Sequence, residues 1–170
     1  EWDETVNRYL DHFQPQLDML PKGTRKRLYD AIYNREVMPS MRALMSAGKA
    51  LEKDNVAGFN CAYLVCDHPS AFDEMMYILM CGTGVGFSVE RQYIAELPMG
   101  AETSLESDTV ISVPDSKIGW AKSLKQIIAM LYAGEVPKWN TSKVRVAGSR
   151  LKVFGGRASG PEPLEELFQY

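Results

Sequence analysis

Apolar positions along this chain change their spacing several times, and each change marks an element. From Trp2 to Phe13, the residues Trp2, Val6, Tyr9, Leu10 and Phe13 recur at three- and four-residue steps, which predicts an amphipathic helix. A second helix is predicted over Thr24–Asn34, behind Pro21 and Gly23, with Leu28, Tyr29 and Ile32 facing inward. Met38-Pro39-Ser40 opens a third that ends at Gly48, with Ser40 as its N-cap. The first 57 residues thus read as a helical region. At Cys61 the pattern becomes Cys-Ala-Tyr-Leu-Val-Cys, rich in β-formers, and predicts a strand over 61–66. Pro69-Ser70 stops it. Ser70, with Asp73 three residues on, predicts a capping-box variant at the head of a helix. That helix carries Phe72, Met75, Met76, Leu79 and Met80 and ends at Gly82. Val85 to Val89 reads as a second strand, so strand, helix, glycine loop and strand predict a right-handed crossover and a parallel pair.

Beyond Glu90 the pattern loosens. Residues 91–114 hold Pro98 and Gly100 and read as surface connection with a short strand, Thr109 to Val113. Asp115 is placed as the cap of a helix in which Trp120, Leu124, Ile127, Ile128 and Leu131 keep helical spacing up to Gly134. Core packing explains that stripe. Lys143 to Val146 reads as another short strand, and a final helix covers Pro163 to Phe168. No internal repeat is visible.

Composition excludes several classes. The chain has 170 residues, 45% hydrophobic and 24% charged, with net charge −3. That balance argues against general nucleic-acid affinity, and no apolar run approaches a membrane span. Three cysteines without a CxxC pair fit neither a disulfide scaffold nor a zinc site, and they suit a reducing, cytoplasmic setting. Two histidines, His12 and His68, assemble no metal cluster.

Four local features carry candidate chemistry. Cys61 and Cys66 are an odd number of residues apart on one strand, so they face opposite sides. Extended chain separates them by roughly 16 Å, and a disulfide needs Cα atoms within about 7 Å. Cys61 is either a small buried hydrophobe or a reactive thiol, and Cys81, closing a helix rich in Met, reads as core. Gly82-Thr83-Gly84 follows a helix rather than preceding one, which rules out a dinucleotide or P-loop fingerprint. Bare backbone there suits close approach of a ligand, or simply a tight turn with a helix cap. Ser40 at a helix start suits a phosphate or a plain structural cap. Arg157, within Phe154-Gly155-Gly156-Arg157-Ala158-Ser159-Gly160-Pro161, is either a bidentate reader of an anionic ligand or part of a surface loop.

Taken together, Asn60 to Val65, Gly82 to Val89, Asp115 to Trp120 and Leu151 to Leu164 resemble the ribonucleotide reductases, in order and at similar spacing. The likeness is greatest to the adenosylcobalamin-dependent (class II) ribonucleoside-triphosphate reductases, and it covers the chain from about Val37 onward. It implies an α/β fold: N-terminal helices (1–57) followed by the first half of a ten-stranded α/β barrel (58–170), with an insertion at about 95–144. It implies that Cys61 is one of two thiols that reduce the ribose 2′ position. Ser40, Asn60, Gly82, Thr83 and Gly84 would bind substrate, and Asp67, Lys152 and Arg157 a dNTP allosteric effector. The implied partners are a ribonucleotide, a thioredoxin-like reductant and the C-terminal remainder of the reductase. That remainder would carry the radical cysteine, the partner of Cys61 and most of the adenosylcobalamin site, so the chain alone would be inactive. A diphosphate reductase of another class and a non-catalytic nucleotide-binding fragment are the alternatives.

Overall fold

The computed structural model describes residues 1–151, 153 and 155–170. The chain divides into two compact units, Glu1–Asn60 and Cys61–Tyr170.

The first unit is helical throughout: α1 (Trp2–His12), α2 (Gln14–Leu17), α3 (Thr24–Tyr33), α4 (Met41–Ser46), α5 (Lys49–Lys53) and a 3₁₀ turn at Asn55–Gly58. Val6 and Leu10 of α1 and Ile32 of α3 are buried together, with Trp2, Tyr9, Leu28 and Tyr29 packed around them. The sequence spacing expected this face. Two polar contacts fix how these helices pack. Trp2 donates its indole N–H to the Tyr33 carbonyl at 3.0 Å, and Arg8 donates to the Leu44 carbonyl at 2.7 Å, so the last turns of α3 and α4 are both held from α1.

The second unit is mixed α/β, built as two successive strand–helix–strand crossovers. β1 (Cys61–Val65), α6 (Ser70–Met80) and β2 (Gly84–Ser88) make the first, and β1 pairs with β2 in parallel. After the short α7 (Arg91–Ile94) come β3 (Leu105–Ser112), α8 (Lys117–Tyr132) and β4 (Glu135–Asn140), again a parallel pair. The last helix is α9 (Glu162–Gln169). Among the described residues the strands form two separate two-stranded sheets. Ile111, Val113, Leu124, Ile127, Val144, Leu164 and Phe168 share the core of this unit. Phe168 meets Trp139 edge to face at 5.7 Å, which seats α9 against β4.

Three local expectations are corrected. Lys143–Val146 is not a strand; the partner of β3 is β4, which contains Pro137. Proline removes a ladder donor, and here it sits where the ladder is already broken. Val136 pairs with Glu106 and Lys138 with Val110, so Pro137 faces the bulge at 107–109. Ser70 does not cap α6. Pro69 holds the N-cap position without a side-chain bond. The Ser70 hydroxyl instead accepts from Lys125 Nζ at 2.9 Å, and Asp73 lies 3.8 Å from the same ammonium. A tertiary partner on α8 has taken both members of the expected capping box. Asp115 does not cap α8 either; Ser116 does, accepting from the Gly119 N–H at 3.0 Å. Asp115 receives both hydrogen bonds of Arg145 Nε, at 2.8 and 3.0 Å.

Candidate active site

The thiol of interest is positioned by alternation along β1. Cys61, Tyr63 and Val65 share one face and Ala62 and Leu64 the other. Cys61 is exposed, whereas Cys66, one step past the strand and on the opposite face, is buried. The parallel register sets Cys61 beside Gly84 and Tyr63 beside Gly86. On this face, therefore, the first two positions of β1 carry a sulfur and a phenol, and their neighbours on β2 carry no side chain at all. A methyl group added at Gly86 would first meet the Tyr63 ring at 3.8 Å, so the tyrosine flanks this bare strip. Sulfur next to uncovered peptide backbone is the arrangement that lets a polar ligand lie flat on the sheet edge and still touch the thiol.

How the chain reaches that register is local. Gly82 follows the end of α6 with φ of 85°, donates to the Leu79 carbonyl at 2.8 Å, and is followed by Thr83, which donates to Ile78 at 3.3 Å. These two bonds are a Schellman closure, and a left-handed residue is what it requires. Gly82 is thus used by the helix cap, Thr83 is buried, and Gly84 alone of the three stands beside Cys61. Asn60 is exposed and immediately precedes β1. Ser40, in the N-terminal unit, is exposed and accepts from the Ala43 N–H at 3.5 Å as the cap of α4. Asp67 is exposed in the bend between β1 and α6. Lys152 lies outside the described residues.

A second locus gathers around the start of α8. A cavity of about 340 Å³ is lined by Asp115, Ser116, Lys117, Trp120, Arg145 and Arg157, among others. Arg157 is brought there by a tight reversal of the chain: it bridges to Arg150, and it donates to the Gly148 carbonyl at 2.9 Å. Sequence reasoning assigned Asp115 to a cap and Trp120 to the core, and missed Lys117 and Arg145. Asp115 and Arg145 are thirty residues apart, and no short-range pattern joins them. Among the described residues no group of three or more His, Cys, Asp or Glu is placed to hold a metal, and no helix is long and apolar enough to cross a membrane.

Residues 89–170 match the family model described as the insertion domain of B12-dependent ribonucleotide reductase. What the chain is similar to is thus the class II ribonucleotide reductases. It is 24% identical over 238 residues to the adenosylcobalamin-dependent ribonucleoside-triphosphate reductase of Lactobacillus helveticus, covering 98% of this chain and 32% of that protein. To the enzyme of that name from Euglena gracilis it is 28% identical over 171 residues, covering 95% of this chain and 23% of the relative. A phage relative, the putative adenosylcobalamin-dependent reductase of Mycobacterium phage D29, is 29% identical over 202 residues, with 98% and 29% covered. The fold matches a crystal structure of a B12-dependent (class II) ribonucleotide reductase with a TM-score of 0.79 at 23% identity, over 99% of this chain and 33% of that one. The chain thus spans about a third of the length of the first of these reductases.

Proposed function

We propose that this chain is the N-terminal part of a class II ribonucleotide reductase that converts ribonucleoside triphosphates to 2′-deoxyribonucleotides by thiyl-radical chemistry, with Cys61 as one of the two reducing thiols. The observation that carries this reading is the register of Cys61 with Gly84: an exposed sulfur beside bare backbone. Asn60, Gly82, Thr83 and Gly84 are read as substrate contacts and Ser40 as a phosphate contact, as the family resemblance implies. β1 and β2 are read as the first strands of a half-barrel, their outer edges left for strands from the rest of the protein. β3, α8 and β4 all fall within 95–144 and are read as the insertion that builds an effector site without a partner subunit. Arg157 would then contact a dNTP from the cavity wall, with Lys152 and Asp67 as further effector residues.

Adenosylcobalamin, when bound, supplies the radical. The described residues offer it no fit: cavities of about 340 and 420 Å³ are both smaller than a corrinoid. The remainder of the protein is read as holding most of the cofactor's site, the radical-bearing cysteine and the partner thiol. What this chain contributes is position. The ribose lies against the β1–β2 edge, Cys61 faces its 2′ carbon, and after loss of water the thiol pair delivers two electrons and ends as a disulfide. A thioredoxin-like dithiol then restores it by exchange.

The test is Cys61→Ser in the complete protein, assayed with adenosylcobalamin, a ribonucleoside triphosphate and a thioredoxin-like reductant. Multiple turnover is expected to vanish while nucleotide binding persists. Sustained turnover by the serine variant would end the assignment of Cys61, and absence of any triphosphate reduction by the unaltered protein would leave the non-catalytic nucleotide-binding reading.

A further inference from the structure

Cys81, on which the proposed reaction makes no demand, sits in a setting of its own. It ends α6 and is 1% exposed. Lys117, the first residue of α8, donates from Nζ to Cys81 Sγ at 3.1 Å, and the same ammonium lies 5.8 Å from the centre of the Tyr77 ring. A thiol and an amine are thereby in contact across the junction of the two helices. Met80, the residue before Cys81, and Lys117 both line the 340 Å³ cavity. The Lys117 ammonium supplies the counter-charge a thiolate needs to act as a nucleophile.

We propose that Cys81 and Lys117 are a modification site for hydroperoxides, closing to a sulfur–nitrogen (sulfenamide) bond between the two side chains. The thiolate attacks one peroxide oxygen: the S–O bond forms, the O–O bond breaks, and the leaving hydroxide takes a proton from the Lys117 ammonium. The neutral amine then displaces hydroxide from the sulfenic acid, forming S–N and releasing a second water. Sulfur loses two electrons and hydrogen peroxide is reduced to two waters. An external dithiol reverses the step, returning thiol and amine and leaving as a disulfide. The bond joins the end of α6 to the start of α8, at the rim of the cavity, and so stiffens its wall.

The test uses the 170-residue chain with Cys61→Ser, which removes the exposed thiol from the reaction. After treatment with hydrogen peroxide, trypsin digestion and mass spectrometry are expected to find the peptide holding Cys81 joined to an uncleaved peptide spanning Lys117, lighter by two hydrogens than the sum of the parts. Dithiothreitol should release it. Lys117→Arg, which keeps the charge but not the amine, should lower the joined species by about tenfold or more, and Cys81→Ser should abolish it. Both variants are checked for fold by circular dichroism, and the joined peptide in the chain with Lys117 intact is decisive by itself. Cys81 left as a thiol, Cys81 carried to sulfinic acid with Lys117 still cleavable, or a link that retains an added oxygen would each overturn the proposal.

Discussion

Gly119 offers the sharpest quantitative test of how the start of α8 is built. It lies in the first turn of that helix, where its N–H is bonded by the Ser116 cap. A methyl group at this position would come within 2.7 Å of Pro114 Cβ, 2.8 Å of the Pro114 carbonyl oxygen and 2.9 Å of Ser116 Oγ. Two of those atoms belong to a proline ring and a backbone carbonyl, which cannot rotate aside, and the third is the cap itself. Overpacking of this kind costs about 1–3 kcal/mol, and displacing the Ser116 cap adds roughly 1 kcal/mol. Against that stands a gain of up to about 1 kcal/mol from replacing glycine in a helix. Gly119→Ala should therefore lower stability by about 1–3 kcal/mol, which for a chain of this size is a fall of roughly 2–12 °C in Tm. The same substitution at Gly86 is an internal control, because a methyl there meets nothing closer than 3.8 Å. Gly86→Ala should be neutral or slightly stabilising, since the unfolded chain loses freedom. Urea or thermal unfolding read by the fluorescence of Trp120 and Trp139 in the second unit, with calorimetry in parallel, measures both. A Gly119→Ala midpoint at or above that of the parent would refute the description of Pro114, Ser116 and Gly119 as one close-packed corner.

Thiol titration gives a simpler expectation. In the native chain a bulky aromatic disulfide reagent should react rapidly at Cys61 and slowly at Cys66 and Cys81, which are 2% and 1% exposed, with all three reacting after denaturation. Rapid reaction at more than one site in the native chain would contradict the burial of the other two. Tyr29 should titrate late. Its hydroxyl donates to Asp3 at 2.5 Å, and that bond, with partial desolvation and the charge of Asp3, raises its pKa from 10.0 to about 12. The folded chain then holds this proton longer than the unfolded chain does. The contribution to stability is thus complete below about pH 10 and is lost as pH rises towards 12. Absorbance of tyrosinate should show the late phase, and Asp3→Asn should remove it; unchanged titration in the variant would exclude the bond.

Much of the first crossover was legible because its signals are short-range. Alternation along 61–65, the apolar face of α6 and a glycine after its last turn each operate within a few residues, and β1, α6 and β2 follow them to within one residue at each end. Parity on the strand put Cys61 and Cys66 on opposite faces, and the fold decided that Cys61 is the exposed one. The helices of the N-terminal unit followed from spacing in the same way, Val6, Leu10 and Ile32 being buried. The second crossover was only half legible. Its helix keeps a clear apolar period, but Glu-Val-Pro-Lys-Trp-Asn reads as a loop, and it becomes β4 because β3 bulges opposite the one residue with no N–H to give.

Side-chain partners were the least legible. Ser70, Asp73 and Asp115 all have the chemistry of helix caps, and a window of sequence offers each of them only the nearest backbone N–H. The folded chain offers Ser70 and Asp73 the ammonium of Lys125, and Asp115 the guanidinium of Arg145. A charged donor outcompetes a neutral amide. Local order along this chain thus decided where helices and strands run and which side of β1 carries sulfur. Contact between distant segments decided what Gly84 stands beside, what Cys81 touches and where Arg157 ends up, because those neighbours exist only once the crossovers have closed.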